Sequence, residues 1–294
     1  MKTTLTIAAV QQPCNQDRKA NFDFSVAKIH EAAANKADIV ILPELHLDPY
    51  FCQNEDYRHF DLAQPIPGPT TEMLSGIAKK LGVVIVSTLF EKRTAGLYHN
   101  TAVVFDKDGS LAGKYRKMHI PDDPGFYEKY YFTPGDIGFQ PIVTSVGKLG
   151  VLICWDQWFP EAARLMALAG ADMLIYPTAI GWDPADSDEE RERQLMAWIT
   201  IQRSHAVANG LPVIACNRIG FEKSPDSDTG INFWGNSFIT GPQGEFLSQA
   251  NAGDPEVLIC AIDKARSERV RQIWPYLRDR RIDEYSNLVK RFID

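Results

Sequence analysis

Cys154 ends a short apolar run, Leu149-Gly150-Val151-Leu152-Ile153, and is followed by Asp156, Pro160 and a segment of helical character. A thiol at a strand-to-helix turn can project into a cleft with the N–H groups of the turn beside it. Cysteine is the best nucleophile available to a protein near neutral pH once its proton is removed. Free cysteine titrates at about 8.5, so a neighbouring base is useful. Two other segments carry matching groups. IVILPEL (39–45) is a buried-strand pattern that reaches Glu44, a carboxylate able to take the thiol proton. GKYRKMHIP (113–121) carries Lys117 just after a strand-like run, a fixed positive charge for a developing oxyanion. Glu44 follows Ile-Leu-Pro, where an ordinary charge is costly to bury. Each residue also has a plainer reading. A lone cysteine at a strand end is commonly a small core residue. Glu44 alone reads as a loop or helix-start carboxylate, and Lys117 lies with Lys114 and Arg116 in what could be a solvated basic patch.

These groups need elements to hold them. Strand-like runs cover Leu5–Gln11, Asp38–Leu42, Val83–Phe90, Asn100–Phe105, Ile142–Val146, Leu149–Ile153, Met173–Tyr176, Val213–Cys216, Asn236–Ile239 and Val257–Ile262. Helical spacing covers Lys19–Asn35, Thr70–Leu81, Glu161–Ala169, Asp188–Ala208 and Arg266–Ile273. Gly82, Gly170 and Gly210 each follow a helical run and precede a strand, the position of a C-terminal glycine stop. Asp108-Gly109 and Pro242-Gln243-Gly244 mark turns between strands and predict hairpins. Strands alternating with helices, with hairpins among them, predict an α/β fold of mixed sheets covered by helices. One layer or two is not decided by the pattern. Asp122–Asp136 is a Pro/Gly-punctuated loop dense in aromatics, the kind of long loop that is often functional.

The totals set further bounds. The chain has 294 residues, a formal net charge of −7, 45% hydrophobic and 23% charged residues. With no repeat or long polar linker, it reads as one domain over 1–294. Acidic and basic residues are mixed, so no basic face for nucleic acid is expected. No segment approaches the ~20 apolar residues of a membrane span. Five spread cysteines without a CxxC pair predict free thiols and a cytoplasmic location. His46, His99 and His119 lack metal-ligand spacing, and the glycines form neither GxGxxG nor Walker patterns. No metal, nucleotide or other cofactor is expected. Cys14, Cys52, Cys216 and Cys260 read as packing residues, and His119 as a structural histidine.

Glu44 after its strand, Lys117 in KYRK and Cys154 in ICWD, in this order and at these separations, resemble the nitrilase superfamily of carbon–nitrogen hydrolases. YEKYYFTPGD (127–136), YPTAIG (176–181), CNRIG (216–220) and FWGNSFITGPQGE (233–245) resemble family segments too, so the likeness runs nearly end to end. The resemblance implies an αββα sandwich of two mixed β-sheets flanked by helices, a Glu-Lys-Cys triad and a homo-oligomer. It implies that Glu128 matches an additional acidic residue of many members; a surface ion pair with Lys129 is the alternative. The backbone N–H of Trp155 would share the oxyanion with Lys117. HIPDDPGFYEKYYFTPGD and CWDQWFPEAAR look most like the branch that hydrolyses N-carbamoylputrescine. Relatives acting on N-carbamoyl amino acids carry arginine soon after the nucleophile, where this chain has Gln157 and Trp158. Losing that bidentate carboxylate clamp favours a small ureido substrate with a neutral or cationic tail, of which the cationic one is expected. Trp155, Trp158, Phe126, Tyr130 and Trp182 are candidates to line a tunnel for its carbon chain. Asp122, Asp123, Asp183 and Glu190 are candidates to meet its ammonium. The tail 276–294, basic and then amphipathic through Tyr285, Leu288 and Phe292, is expected to pack on a partner subunit. The same chemistry on another ureido or amide substrate, such as N-carbamoyl-β-alanine, and a catalytically silent interaction module are the alternatives.

Overall fold

The computed structural model describes residues 3–225 and 228–294. In chain order it places β1 (Thr4–Gln11), α1 (Arg18–Ala34), β2 (Ile39–Ile41), α2 (Pro69–Leu81), β3 (Val84–Thr94), β4 (Leu97–Phe105) and β5 (Leu111–Arg116). There follow α3 (Glu128–Tyr131), β6 (Ile142–Thr144), β7 (Gly147–Val151), α4 (Pro160–Leu168), β8 (Met173–Thr178), β9 (Gly181–Trp182), α5 (Asp188–Asn209) and β10 (Val213–Asn217). The rest is β11 (Ile219–Lys223), β12 (Gly230–Trp234), β13 (Phe238–Thr240), β14 (Phe246–Gln249), β15 (Glu256–Asp263) and α6 (Lys264–Ile273).

Among the described residues the strands form two six-stranded sheets, β15-β1-β2-β3-β4-β5 and β14-β13-β10-β8-β7-β6, with a small β11-β12-β9 sheet beside them. Both large sheets are mixed. β1, β2 and β3 run parallel, as do β7, β8 and β10, whereas the hairpins add antiparallel strands. Alternation along each strand decides the layers. Leu5, Ile7 and Ala9 of β1 share one core with Ile39, Val84, Ala102, Leu149 and Val151, between the sheets. The intervening Ala8, Val10, Val40, Ile85 and Val103 meet Ile29 and Ala32 of α1 and Leu74 and Ala78 of α2. The second sheet is covered by α4 and α5 through Ala162, Met166 and Trp198. The result is a four-layer αββα sandwich, which settles the question of one layer or two.

Helix limits fall within two residues of the sequence reading. Gly82 and Gly210 end α2 and α5 in the left-handed conformation, at φ 65° and 58°. Ser187 caps α5 through its side chain, with Asp188, Glu189 and Glu190 in the first turn. Both anticipated hairpins form, β4–β5 over Gly109 and β13–β14 over Gly244. Three strands were not anticipated: β9, β11 and β12. They are short, at most five residues each, and alternate weakly. Among the described residues no helix is long and apolar enough to cross a membrane. After α6 the chain continues in turns and leaves Ile282, Leu288, Val289, Phe292 and Ile293 exposed.

Candidate active site

The carboxyl ends of parallel strands converge on one region, as ligand sites of open α/β sheets do. Glu44 follows β2, Cys154 follows β7, Ala179 follows β8 and Arg218 follows β10. Lys117 follows β5 directly. Its backbone N–H donates to the Asn100 carbonyl of β4 at 2.9 Å. The Asn100 side chain donates to Glu44 Oε1 at 2.7 Å. Asn100 thus ties the edge-strand lysine to the central-strand glutamate. Sequence reading missed it, although an amide inside an apolar strand is costly unless it has a partner.

Lys117 is completely buried and held between two carboxylates. Its Nζ donates to Glu44 Oε1 at 2.8 Å and to both oxygens of Glu128, at 2.9 and 2.7 Å. Lys114 and Arg116 instead bond Glu91, so the basic patch reading fails for Lys117. Glu128 is buried too and does not pair with Lys129 at the surface. The Tyr50 hydroxyl donates to Glu128 Oε1 at 2.6 Å, so Glu128 receives protons from both sides. Burial alone pushes the Lys117 ammonium down, but the charges of Glu128 and Glu44 outweigh it and hold it well above the usual lysine range. Burial pushes the Glu128 carboxyl up to about 7 against the pull of Lys117.

Cys154 opens the 3-10 turn Cys154–Trp158 with φ at 43°, a conformation rare for a residue with a side chain. Its Sγ lies 3.8 Å from the Ala179 carbonyl oxygen. Burial, with the nearby Glu44 charge, raises the thiol well above the free value, and Lys117 opposes the rise. Burial thus favours the protonated thiol, and a sulfur in that state needs a base before it can act as a nucleophile. Glu44 Oε2 is buried and, among the described residues, has no hydrogen-bond partner. A carboxylate oxygen without a donor is the right acceptor for a thiol proton. Trp155 is the second residue of the turn, so its N–H is among those with no acceptor earlier in the helix.

Asp156, fully buried, fastens this turn to the Lys117 segment. Its Oδ2 accepts from Ile153 N at 2.9 Å and from the Tyr115 hydroxyl at 2.8 Å. Its Oδ1 accepts from the His119 N–H at 3.0 Å and from His119 Nδ1 at 2.7 Å. His119 has the structural role expected of it.

Cys154 and Glu128 line a cavity of about 470 Å³. Phe126, Trp155, Trp158, Asp123 and Asp183 line it as anticipated, together with Asp186, Gln194 and Trp234, which were not. The wall is mostly apolar, and among the described residues lining it there is no lysine, arginine or histidine. Four anticipated residues lie elsewhere. Asp122 faces Lys129 at 4.0 Å on the surface, one residue outside the tight turn that Asp123 and Phe126 close. Tyr130 packs edge-on against Tyr131 and at a tilt against Phe60 in an outer groove, because α3 turns it away from Glu128. Trp182 packs on Trp234 and donates to the Arg191 carbonyl, so Trp234 forms the wall in its place. Glu190 is held in the first turn of α5 near Gln194 and Arg193. Asp186 could have been suspected from the acid-rich DPADSDEE stretch (183–190) before α5.

A family model described as carbon-nitrogen hydrolase matches residues 6–272, and the chain belongs to that family. It is 42% identical to an N-carbamoylputrescine amidase of Solanum lycopersicum over 288 residues, 97% of this chain and 95% of the relative. It is 39% identical to a citrullinase of Francisella tularensis over 289 residues, 98% and 99% of the two chains. The crystal structure of a carbon-nitrogen hydrolase from Helicobacter pylori superimposes with a TM-score of 0.96 at 53% identity, covering 99% of this chain and 100% of that one.

Proposed function

We propose that this chain hydrolyses N-carbamoylputrescine to putrescine, carbon dioxide and ammonia. One observation carries the reading: Cys154 lines a cavity beside a lysine clamped by two buried carboxylates, one of which keeps an unpartnered oxygen. Glu44 takes the Cys154 proton as sulfur attacks the ureido carbon. The oxyanion is stabilised by the Lys117 ammonium and the Trp155 N–H. Glu44 returns the proton to the terminal nitrogen as the C–N bond breaks and ammonia leaves, so a carbamoyl thioester remains. Water then attacks that carbonyl carbon and gives a proton to Glu44. The C–S bond breaks, the thiol recovers its proton, and the released carbamic acid decomposes to carbon dioxide and the amine. Glu128 keeps Lys117 charged and aimed. Lysine suits the task because it presents a point charge rather than a fork.

The substrate assignment is supported by the acidic rim. Asp123, Asp183 and Asp186 on a mostly apolar wall favour an ammonium at the far end of a carbon chain. They disfavour a terminal carboxylate, because like charges in a partly dry site repel. Two relatives bear names that point to ureido substrates, and citrulline carries both an ammonium and a carboxylate. Ammonia release should therefore be compared for N-carbamoylputrescine, citrulline and N-carbamoyl-β-alanine. Preference for the first is expected; preference for either carboxylate would overturn the cationic-tail reading. Purified Cys154→Ala should release no ammonia, and full activity in it would end the mechanism. The chain is further proposed to work as a single carbon–nitrogen hydrolase domain in a cytoplasmic homo-oligomer, its exposed tail 276–294 covered by a second copy.

A further inference from the structure

We propose that Arg218 is a positioning residue for Glu44, acting on the main chain of the turn that carries it. This rests on Glu44 being the base. Arg218 is completely buried and is among the largest side chains with no exposure. A buried guanidinium is costly unless most of its donors are satisfied. Here the Nη donors reach the carbonyls of Glu44, Leu45 and Asp48 on one short segment and the Glu222 carboxylate, while Nε has no hydrogen-bond partner among the described residues. Nη2 donates to the carbonyl oxygens of Glu44 at 2.7 Å and Leu45 at 2.8 Å. Nη1 donates to the Asp48 carbonyl at 3.3 Å and to Glu222 Oε1 at 2.8 Å. The rings of Tyr50 and Phe233 lie 5.9 and 5.2 Å from the guanidinium carbon.

The segment needs such a hold. Leu45, directly after Glu44, sits at φ 47°. A leucine in the left-handed region carries strain of about 1–3 kcal/mol and persists only when its surroundings over-determine it. From one side Thr88 Oγ1 accepts the Leu45 N–H at 2.6 Å, and the Thr178 carbonyl accepts the Glu44 N–H at 3.3 Å. From the other side Arg218 binds the carbonyls of the same two residues. The guanidinium fork holds these two carbonyls with Nη2 while Nη1 reaches the Asp48 carbonyl and Glu222, a spread that a single ammonium does not cover. The same assembly also reaches the second carboxylate. Glu222 Oε2 accepts the Tyr50 N–H at 2.5 Å, and the Tyr50 hydroxyl bonds Glu128. Arg218 and its partner Glu222 thereby set both carboxylates that clamp Lys117, without touching the cavity.

The test is kinetic, on full-length Arg218→Lys and Glu222→Gln, with Glu44→Gln as control. Protein is first isolated as the native species by gel filtration, and rates of ammonia release are then expressed per Cys154 thiol titrated by iodoacetamide and mass spectrometry. This removes the loss of active fraction that a purely structural role would cause. Arg218→Lys should lower kcat by about 10²-fold at little-changed KM, the effect of moving a reacting group by about 1 Å. Alkylation of Cys154 should slow with it, and the pH profile of kcat should shift. Wild-type kcat per titrated thiol with an unaltered pH profile would overturn the assignment. If Arg218→Lys yields no folded protein, Glu222→Gln decides: a clear fall in kcat at constant KM supports the assignment, and a wild-type kcat overturns it. Glu44→Gln separates the two levels. An active Glu44→Gln refutes the base itself. An inactive one beside a fully active Arg218→Lys refutes only the role of Arg218.

Discussion

Replacing Lys117 with methionine keeps the reach of the side chain and removes its charge. That charge is fully buried, 2.8 Å from Glu44 and 2.7 Å from Glu128. Without it two carboxylates face one another with no counter-charge. Removing one partner of a buried pair costs about 3–5 kcal/mol. At a urea m-value of about 3 kcal/mol/M, this lowers the unfolding midpoint by about 1–2 M. The deficit also depends on pH, and Glu128 sets its sign. Burial already pushes that carboxyl up to about 7 while Lys117 pulls it down. In Lys117→Met the pull is gone and the value rises further. A carboxyl that titrates higher when folded than when unfolded binds the extra proton in the folded state between the two values. Stability therefore grows as pH falls through the folded value and is highest near the unfolded one, about 4.3. The deficit against wild type should be largest above pH 8 and smallest near pH 5. Activity should not recover with stability, because the oxyanion has lost its cation; kcat should stay down by about 10²–10³-fold at every pH. Urea titrations and ammonia release from pH 5 to 9 measure both. A midpoint equal to wild type at pH 8, or a deficit that ignores pH, would refute the reasoning.

Glu128 accepts from Lys117 at both oxygens and from Tyr50, so the working form is the ionised one; kcat should rise with pH through about 7, and Glu128→Gln should flatten that limb. An unchanged limb in the variant would assign it to another group. Asp186→Asn and Asp183→Asn should raise KM for N-carbamoylputrescine more than they lower kcat, by about tenfold where the ammonium contact is desolvated. Equal effects on an uncharged ureido alkane would remove the ammonium from the account. Deleting 276–294 uncovers or removes the exposed Leu288, Val289 and Phe292, and light scattering should then report a smaller assembly. An unaltered mass would relieve the tail of that role.

Much of the framework was legible because its signals are local. Glycine after a helix, a D-G turn and β-branched runs each report on a few neighbouring residues, and α1, α2, α4, α5 and the β4–β5 hairpin follow from them. Glu44 and Cys154 stood out because each ends or follows an apolar run, whereas Lys117, among Lys114 and Arg116, stood out only through the family resemblance. What stayed hidden concerns direction rather than type. Asp122 and Asp123 are adjacent and identical, yet one meets a surface lysine and the other the cavity. Phe126 and Tyr130 share an aromatic segment, yet Phe126, before α3, lines the cavity and Tyr130, within α3, lines an outer groove. Arg218 looked like any cation in CNRIG. Its worth lies in carbonyls more than 170 residues away, which no local pattern announces.

The base and the ammonium belong to one sheet, and the sulfur belongs to the other. Neither half can turn over anything until the two have docked face to face. A nascent chain that has released only β1–β5 carries an inert acid and an inert base, and β15 completes that sheet later. The thiol joins them when the second sheet closes, already buried. Catalytic output thus doubles as a gauge of alignment across the interior seam. Overfilling that seam, for example at Ala9 or Ala102, should dull the enzyme before it melts it.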